Sequence, residues 1–159
     1  MFGVREEGCV GSIMVNSAGY AGDISVEDAW SILQNEPNAQ LIDVRTQAEW
    51  TFVGLPDLSS LGREVHCVEW QSFPQMSVNP AFSDVAADKV RRAGADEGTP
   101  LLFLCRSGAR SRAAAIAMTG AGFTRSYNVA GGFEGDLDDK RQRGKQNGWK
   151  AGSLPWRQG

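Results

Sequence analysis

The sequence predicts an α/β fold, with a mostly parallel central sheet and helices on both faces. Three short apolar segments, residues 40–44, 100–104 and 126–130, have the composition and flanking turn residues of buried strands. Helical patterns separate these segments, which indicates βα crossovers between parallel strands. A length of 159 residues suits one compact domain.

The first helix is predicted to begin after Ser25, before the first of these strands. Ser25 has the side chain of an N-cap, and Asp28 follows three residues later as a variant of the capping box. An apolar stripe that ends at Leu33 gives this segment one buried face. Pro37 then ends the helix, and the strand at residues 40–44 follows.

The rest of the chain supplies one more strand and three more helices. Residues 64–70 alternate between two faces, as a strand does, after a polar segment and a loop. Pro80 suits the first turn of a helix, and Gly122 suits the end of one. We predict helices over residues 80–93, 111–121 and 133–140, and we interpret the mixed charges of residues 138–145 as a solvated helix end.

We predict three segments along the chain. Residues 1–22 are rich in Gly and Ser and form a loose leader. Residues 23–141 form the domain. Residues 142–159 form a tail that packs on the domain through Trp149 and Trp156.

Composition excludes several classes of function. A net charge of −3 gives no basic surface for nucleic acid or for an anionic membrane, and no segment is long enough to span a bilayer. The three cysteines form no C-x-x-C pair and there is one histidine, so we expect neither a disulfide framework nor a metal site. We predict a cytoplasmic protein without a cofactor.

The segment CRSGARSR, residues 105–112, carries the candidate chemistry. It follows the apolar strand at residues 100–104, so Cys105 lies where a strand ends and a helix begins. Free N–H groups at a helix N-terminus, together with Arg106 and Arg110, favour the thiolate form of a cysteine over the thiol. Gly108 permits a tight turn, and Ser107 and Ser111 offer hydroxyl donors to an anion. The substrate-binding candidates are therefore Arg106, Ser107, Gly108, Ala109, Arg110 and Ser111.

The loop C-R-S-G-A-R-S resembles the active-site loop of the rhodanese sulfurtransferase family. Other segments are similar to this family in the same order: ISVEDAW at residues 24–30, LIDVR at residues 41–45 followed by Glu49 and Trp50, and NVAGGFEG at residues 128–135. The resemblance covers residues 23–140, which is a whole rhodanese-like domain. An ordered set of this kind around a C-x4-R loop is a specific pattern.

This resemblance implies sulfur transfer through a persulfide. The thiolate of Cys105 would take the outer sulfur of thiosulfate or a related small anionic donor, and would pass it to cyanide, a thiol or a protein acceptor. Loop amides would surround the persulfide, while Arg106 and Arg110 would hold the anionic part of the donor. No cofactor or metal is implied.

Two other functions use a similar loop. Cysteine-dependent phosphatases and arsenate reductases also place a thiolate before a helix, but phosphatase loops have five residues between Cys and Arg, whereas this chain has four between Cys105 and Arg110. A sulfur carrier or regulatory module that hands its persulfide to a partner protein is compatible with the same residues.

Four further residues have candidate supporting or redox roles. Arg45 is four residues from Glu49, so we expect an ion pair if a helical turn joins them. Asp43 ends the first strand and is a candidate for orienting the loop. Cys67, within a predicted strand, is interpreted as a small buried apolar residue, and Cys9 lies in the leader; either is an open candidate for a resolving thiol.

Overall fold

The computed structural model describes residues 19–72 and 74–158, and a five-stranded parallel sheet forms its centre. The strands of this part are, in chain order, β1 (Gly22–Ile24), β2 (Gln40–Asp43), β3 (Leu55–Pro56), β4 (His66–Cys67), β5 (Gln71–Ser72), β6 (Ser77–Val78), β7 (Leu101–Leu104), β8 (Ser126–Val129) and β9 (Trp156–Arg157). Its α-helices are α1 (Val26–Asn35), α2 (Gln47–Phe52), α3 (Phe82–Arg92), α4 (Ala109–Gly120) and α5 (Gly148–Ala151). The main sheet has the order β1-β8-β7-β2-β4, and all its neighbouring strands are parallel.

Each face of this sheet buries its own apolar cluster beneath helices. Successive side chains of a strand point to opposite faces, so the neighbours Leu102 and Phe103 of β7 belong to different clusters. Phe103 packs with residues of α3 and α4, whereas Leu102 packs with residues of α1 and with Trp149. The predicted α/β fold, with a parallel sheet and helices on both faces, is confirmed.

Most of the predicted elements lie within a few residues of their expected positions. Ser25 is the N-cap of α1, and its hydroxyl accepts a hydrogen bond of 3.0 Å from the backbone N–H of Asp28. The three predicted buried strands are β2, β7 and β8, and the helices predicted over residues 80–93 and 111–121 are α3 and α4. The strand predicted over residues 64–70 pairs with β2 at β4. The N–H groups of Val68 and Trp70 then donate to the carbonyls of Asp43 and Val44, before the chain enters the antiparallel hairpin of β5 and β6.

The helix predicted over residues 133–140 is wrong. Asp138 accepts hydrogen bonds of 2.9 and 2.8 Å from the backbone N–H groups of Lys140 and Gln142, which stabilise a turn instead of a helix. The φ angle of Gly135 is +77°, and the carbonyl of Glu134 accepts from the N–H of Gly144 at 2.7 Å. Residues 134–147 therefore form a compact loop, which we call the 134–147 loop.

The tail contacts the domain through its tryptophans. Trp149 is fully buried, meets the ring of Trp30 edge-on at 5.9 Å and donates from Nε1 to the carbonyl of Pro155 at 2.7 Å. Trp156 lies in β9, which pairs with β3. Its ring packs edge-on against that of Phe133, with 6.0 Å between the ring centroids. Trp149 thus contributes to the core beneath α1.

The division into leader, domain and tail stays a prediction. Residues 1–18, including Cys9, lie outside the described residues. Tyr20 belongs to the sequence-predicted leader, and its side chain is buried in the cluster that contains Phe103. In the described ranges, no helix is long and apolar enough to cross a membrane, and no group of three or more His, Cys, Asp or Glu is placed to hold a metal ion.

Candidate active site

Cys105 lies at the carboxyl end of the parallel sheet, at the base of an open pocket. It follows β7 directly, and α4 begins four residues later at Ala109. Its side chain is buried, with 1% of its surface exposed. The pocket has a volume of about 630 Å³, and its walls include Arg106, Ser107 and Ala109 together with more distant parts of the chain. Cys105 is thus almost fully enclosed, and it belongs to the lining of the pocket.

Two hydrogen-bonding groups converge on the sulfur of Cys105. The backbone N–H of Gly108 lies 3.1 Å from Sγ, and the hydroxyl of Ser111 lies 3.2 Å from it. Gly108 has a φ of +122°, a conformation that favours glycine and turns its N–H toward the sulfur. Gly108 is also the N-cap of α4, so the helix N-terminus points at the same atom. The backbone at Gly108 thus turns one N–H and the start of α4 toward the sulfur.

A glycine turn after β8 supports the loop from behind. The N–H of Phe133 donates to the carbonyl of Cys105 at 2.8 Å, and the N–H groups of Glu134 and Gly135 both donate to the carbonyl of Arg106 at 3.0 Å. Gly132 lies so close that a Cβ at this position would stand 2.7 Å from the backbone nitrogen of Ser107. The segment 131–135 therefore fixes the path of residues 105–107.

Arg110 is bound by a carboxylate that is distant in sequence. Its Nη1 and Nη2 groups donate to Oε1 and Oε2 of Glu49 at 2.7 and 2.9 Å. Burial opposes ionisation of Glu49, but the hydrogen bonds and charge of Arg110, with help from Thr46, outweigh it and lower the pKa of Glu49 to about 2. Thr46 and Glu49 form a capping box that starts α2 and fixes this carboxylate at the pocket.

The expected pairing of Arg45 with Glu49 is wrong. Arg45 is fully buried and donates from Nε and Nη2 to the carboxylate of Asp43 at 2.9 and 2.7 Å. Helix α2 begins after Thr46, so Arg45 precedes it and cannot reach its partner by helical spacing. Its Nη2 also donates to the carbonyl of Gly54 at 2.6 Å, and its guanidinium lies 4.3 Å from the ring centroid of Phe133.

The pocket contains functional candidates that the sequence did not reveal. Sequence patterns place Glu49 just after LIDVR, in the same family signature, and pair it with Arg45, but the T-Q-A-E pattern of residues 46–49 is a capping box and predicts the start of α2. Glu134 and Arg143 of the 134–147 loop line the pocket, and so does Met76 of the β5–β6 hairpin. Glu134 lies in the NVAGGFEG segment without being singled out, and no local pattern marks Arg143 or Met76, because both reach the pocket through long-range folding.

Cys67 is poorly suited to thiolate chemistry. It is half-buried in β4, and burial together with the negative charge of Asp43 raises the pKa of its thiol to about 12. It is not among the residues that line the pocket of Cys105. Of the two free cysteines in the described ranges, Cys105 is the candidate nucleophile.

Comparison with known proteins shows the family of the chain. A family model described as the STR4 middle domain matches residues 21–159. An uncharacterized protein of Rickettsia conorii is 37% identical over 128 residues, which is 80% of this chain and 90% of that protein. The crystal structure of Rv0390 from M. tuberculosis has 51% sequence identity and a TM-score of 0.76, and the match covers 88% of this chain and 99% of that one.

Two more distant relatives carry descriptive names. The polysulfide-sulfur transferase homodimer of Wolinella succinogenes matches 86% of this chain and 78% of its own with 26% identity and a TM-score of 0.55. The chloroplastic rhodanese-like domain-containing protein 4 of Arabidopsis thaliana is 27% identical over 132 residues, which is 83% of this chain and 25% of that protein. The chain therefore belongs to the STR4 middle-domain family and has a rhodanese-like fold.

Proposed function

We propose that the protein is a sulfurtransferase that carries a sulfane sulfur as a persulfide on Cys105. The observation that carries this proposal is the convergence of the Gly108 N–H and the Ser111 hydroxyl on a sulfur at the floor of an open pocket. The N–H of Gly108 and the N-terminus of α4 favour a negatively charged sulfur, and the hydroxyl of Ser111 is close enough to turn toward it. A thiolate held in this way is a nucleophile that needs no separate general base.

The proposed reaction has two displacement steps. The thiolate of Cys105 attacks the outer sulfur of the donor and forms a new S–S bond, while the S–S bond of the donor breaks and its electron pair leaves with sulfite when the donor is thiosulfate. An acceptor, cyanide or a thiol, then attacks the outer sulfur of the persulfide. The electron pair of that S–S bond returns to Sγ, and the thiolate is restored.

The charges around the pocket support a small anionic donor. The pocket contains three cations, Arg106, Arg110 and Arg143, which offset two carboxylates, Glu49 and Glu134, and the proposed thiolate of Cys105. Because Glu49 binds Arg110, the attraction for an anion depends strongly on Arg106 and Arg143. We propose thiosulfate as a donor, with polysulfide as a second donor to compare because of the Wolinella relative.

We propose that the acceptor is cyanide or a thiol, including a thiol on a protein. We place the reaction in the cytoplasm, where reducing conditions keep thiols such as Cys67 and Cys105 free. No step of the proposed reaction needs a cofactor. A carrier that hands its sulfur to a protein differs from an enzyme only in the second step, so the first step is the decisive one to test.

The test is to incubate the purified protein with thiosulfate and to measure its intact mass. We expect a gain of one sulfur atom on Cys105, which cyanide removes with release of thiocyanate. Cys105→Ser abolishes this gain, whereas Cys67→Ser retains it. Sulfur uptake by Cys105→Ser would refute the assigned nucleophile, and hydrolysis of an aryl phosphate without sulfur uptake would favour a phosphatase instead.

A further inference from the structure

A series of hydrogen-bonded side chains connects the sulfur of Cys105 to the edge strand of the sheet. Ser111 Oγ lies 3.2 Å from Sγ of Cys105 and 2.6 Å from Oδ1 of Asn128 on β8. The amide nitrogen of Asn128 donates to Oδ1 of Asp23 on β1 at 3.0 Å. The hydroxyl of Tyr20 donates to the same oxygen of Asp23 at 2.7 Å. Asn128, Asp23 and Tyr20 are not among the residues that line the pocket, so donor binding does not require them.

The single hydroxyl proton of Ser111 has three acceptors within reach. They are Sγ of Cys105 and the carbonyl of Gly108, both at 3.2 Å, and Oδ1 of Asn128 at 2.6 Å. A carboxylate only accepts hydrogen bonds, so Asp23 fixes the amide of Asn128 with its nitrogen outward and its oxygen toward Ser111. Asn128 is buried, and its oxygen needs a donor. The proton of Ser111 therefore points at Asn128.

The orientation of the Ser111 hydroxyl affects the thiol, the thiolate and the persulfide of Cys105 differently. When the hydroxyl of Ser111 donates to Oδ1 of Asn128, Ser111 presents a lone pair to the sulfur. In this orientation it accepts a hydrogen bond from a thiol S–H but cannot donate one to a thiolate. A thiolate requires the hydroxyl to turn toward Sγ, which leaves the oxygen of Asn128 buried without a donor. In a persulfide the negative charge lies on the outer sulfur, and the hydroxyl can return to Asn128.

We propose that Asp23 and Asn128 are positioning residues that act through the hydroxyl of Ser111 on the ionisation and sulfur loading of Cys105. They compete with the thiolate, but not with the persulfide, for the proton of Ser111. They therefore raise the free energy of the empty thiolate relative to the loaded state. The part of this inference that concerns sulfur loading, the loading half, rests on the proposed function. The part that concerns ionisation of the Cys105 thiol, the ionisation half, does not. The proton stays on Ser111 throughout, so the balance of the displacement steps is unchanged.

Other charged and titratable groups surround the sulfur, and the test must separate their effects from that of the network. On the pocket side these are Arg106, Arg110, Glu49, Glu134 and Arg143. On the sheet side, Asp43 acts on Arg110 and Tyr20 packs in the same cluster as Cys105. The variants proposed below alter none of the pocket residues. A shift in the pH profile then reports the network behind the sulfur.

The test measures the rate at which iodoacetamide alkylates Cys105 as a function of pH, with peptide mass spectrometry to separate Cys105 from the other cysteines. Asn128→Leu removes the competing acceptor, and Asp23→Ala lets the amide of Asn128 turn and donate to Ser111. Both should lower the pH midpoint of alkylation by about one unit. Ser111→Ala should raise it, and Asn128→Leu should have no further effect in the Ser111→Ala background.

Two control variants test whether Asp23 acts by orienting the amide of Asn128 or only through its negative charge. Asp23→Asn removes a charge but keeps an acceptor oxygen, so its midpoint should stay near that of the wild type; a midpoint equal to that of Asp23→Ala would refute positioning. Tyr20→Phe leaves the bond between Asp23 and Asn128 in place and should change nothing. Asp23 lies on the exposed face of an edge strand, so its variants remain informative even if Asn128→Leu does not fold.

The same variants test the loading half separately. After loading with thiosulfate, Asn128→Leu and Asp23→Ala should retain a smaller fraction of persulfide than the wild type in a fixed excess of sulfite. The equilibrium constant for sulfur transfer from thiosulfate to Cys105 should fall about tenfold. An unchanged loading equilibrium would refute this half. If the wild type takes up no sulfur, the proposed function fails, while the alkylation profiles still decide the ionisation half.

Discussion

Glu49 on α2 binds Arg110 on α4 through two hydrogen bonds of 2.7 and 2.9 Å, although 61 residues separate them in the chain. The pair lies in the wall of the pocket above Cys105, and its side chains are only 20% and 16% exposed. Glu49 thus offsets the charge of a cation that the sequence assigns to donor binding. Removal of this carboxylate should reveal how much of that charge the reaction uses.

Glu49→Gln should strengthen the binding of an anionic donor. The amide side chain can still accept a hydrogen bond from Arg110 but no longer neutralises it. We expect KM for thiosulfate to fall about fivefold, equivalent to roughly 1 kcal/mol. Glu97→Gln is the matched control, because Glu97 binds Arg91 at 2.8 Å in an exposed pair and does not line the pocket. An unchanged KM in Glu49→Gln would contradict a role for the charge of Arg110 in donor binding.

Glu49 should also make the stability of the fold depend on pH. Its pKa in the folded protein is about 2, below the ordinary value of 4.5, because Arg110 and Thr46 outweigh the effect of burial. A lowered pKa contributes stability that is present above about 4.5 and is lost as the pH falls toward 2. Urea unfolding should show Glu49→Gln less stable than the wild type at neutral pH, by at most about 3 kcal/mol, and this difference should shrink on acidification. A difference that does not vary with pH would exclude this explanation.

These results show which parts of the site a sequence can predict. Cys105, Gly108 and Ser111 are close in the chain, and a strand followed by a glycine turn and a helix is enough to bring them together. The predicted pair of Arg45 and Glu49 is wrong because a spacing of four residues brings two side chains together only within one helix. Arg45 precedes Thr46, the N-cap of α2, and therefore lies outside the helix that contains Glu49. The bond between Glu49 and Arg110 depends on how two crossovers pack, which no local pattern specifies.

The 134–147 loop shows the same limit on a larger scale. Its charge pattern suits a helix end, but Gly135, Asp138 and Gly144 favour turns, and hydrogen bonds across the loop decide its path. As a result Arg143 reaches the pocket instead of solvent. Local propensity here gives way to side-chain hydrogen bonds to the backbone.

Arg143 should contribute to donor binding, and its neighbour Arg141 should not. Arg143 lines the pocket and is held by a hydrogen bond of 2.7 Å from Nη1 to the carbonyl of Gly135, whereas Arg141 is exposed and does not line the pocket. Steady-state kinetics should show KM for thiosulfate raised about fivefold or more in Arg143→Ala, with kcat little changed, since a distal cation binds the donor before and during attack. Equal effects of Arg143→Ala and Arg141→Ala would point to general surface charge instead.

Cys67 should stay unmodified under conditions that alkylate Cys105. Burial and the charge of Asp43 raise the pKa of the Cys67 thiol to about 12, so very little thiolate is present at neutral pH. Peptide mapping after brief treatment with iodoacetamide should find the label on Cys105 and not on Cys67. In urea the two thiols should react at similar rates, because unfolding removes both environments. Preferential labelling of Cys67 in the folded protein would contradict this assignment.

Gly132 should be essential for the shape of the Cys105 loop, and Gly62 offers a matched control. The two residues have similar φ angles, +68° and +70°, so alanine is strained by a similar amount at either position, about 1 kcal/mol. A Cβ at Gly132 would also overlap the carbonyl of Arg106, whereas a Cβ at Gly62 would meet no atom within 4 Å. We therefore expect Gly132→Ala to lose at least about 2 kcal/mol more stability than Gly62→Ala in urea unfolding. Gly132→Ala should lose sulfur uptake from thiosulfate and Gly62→Ala should retain it; equal stability and uptake in the two variants would show that the glycine turn does not fix the loop.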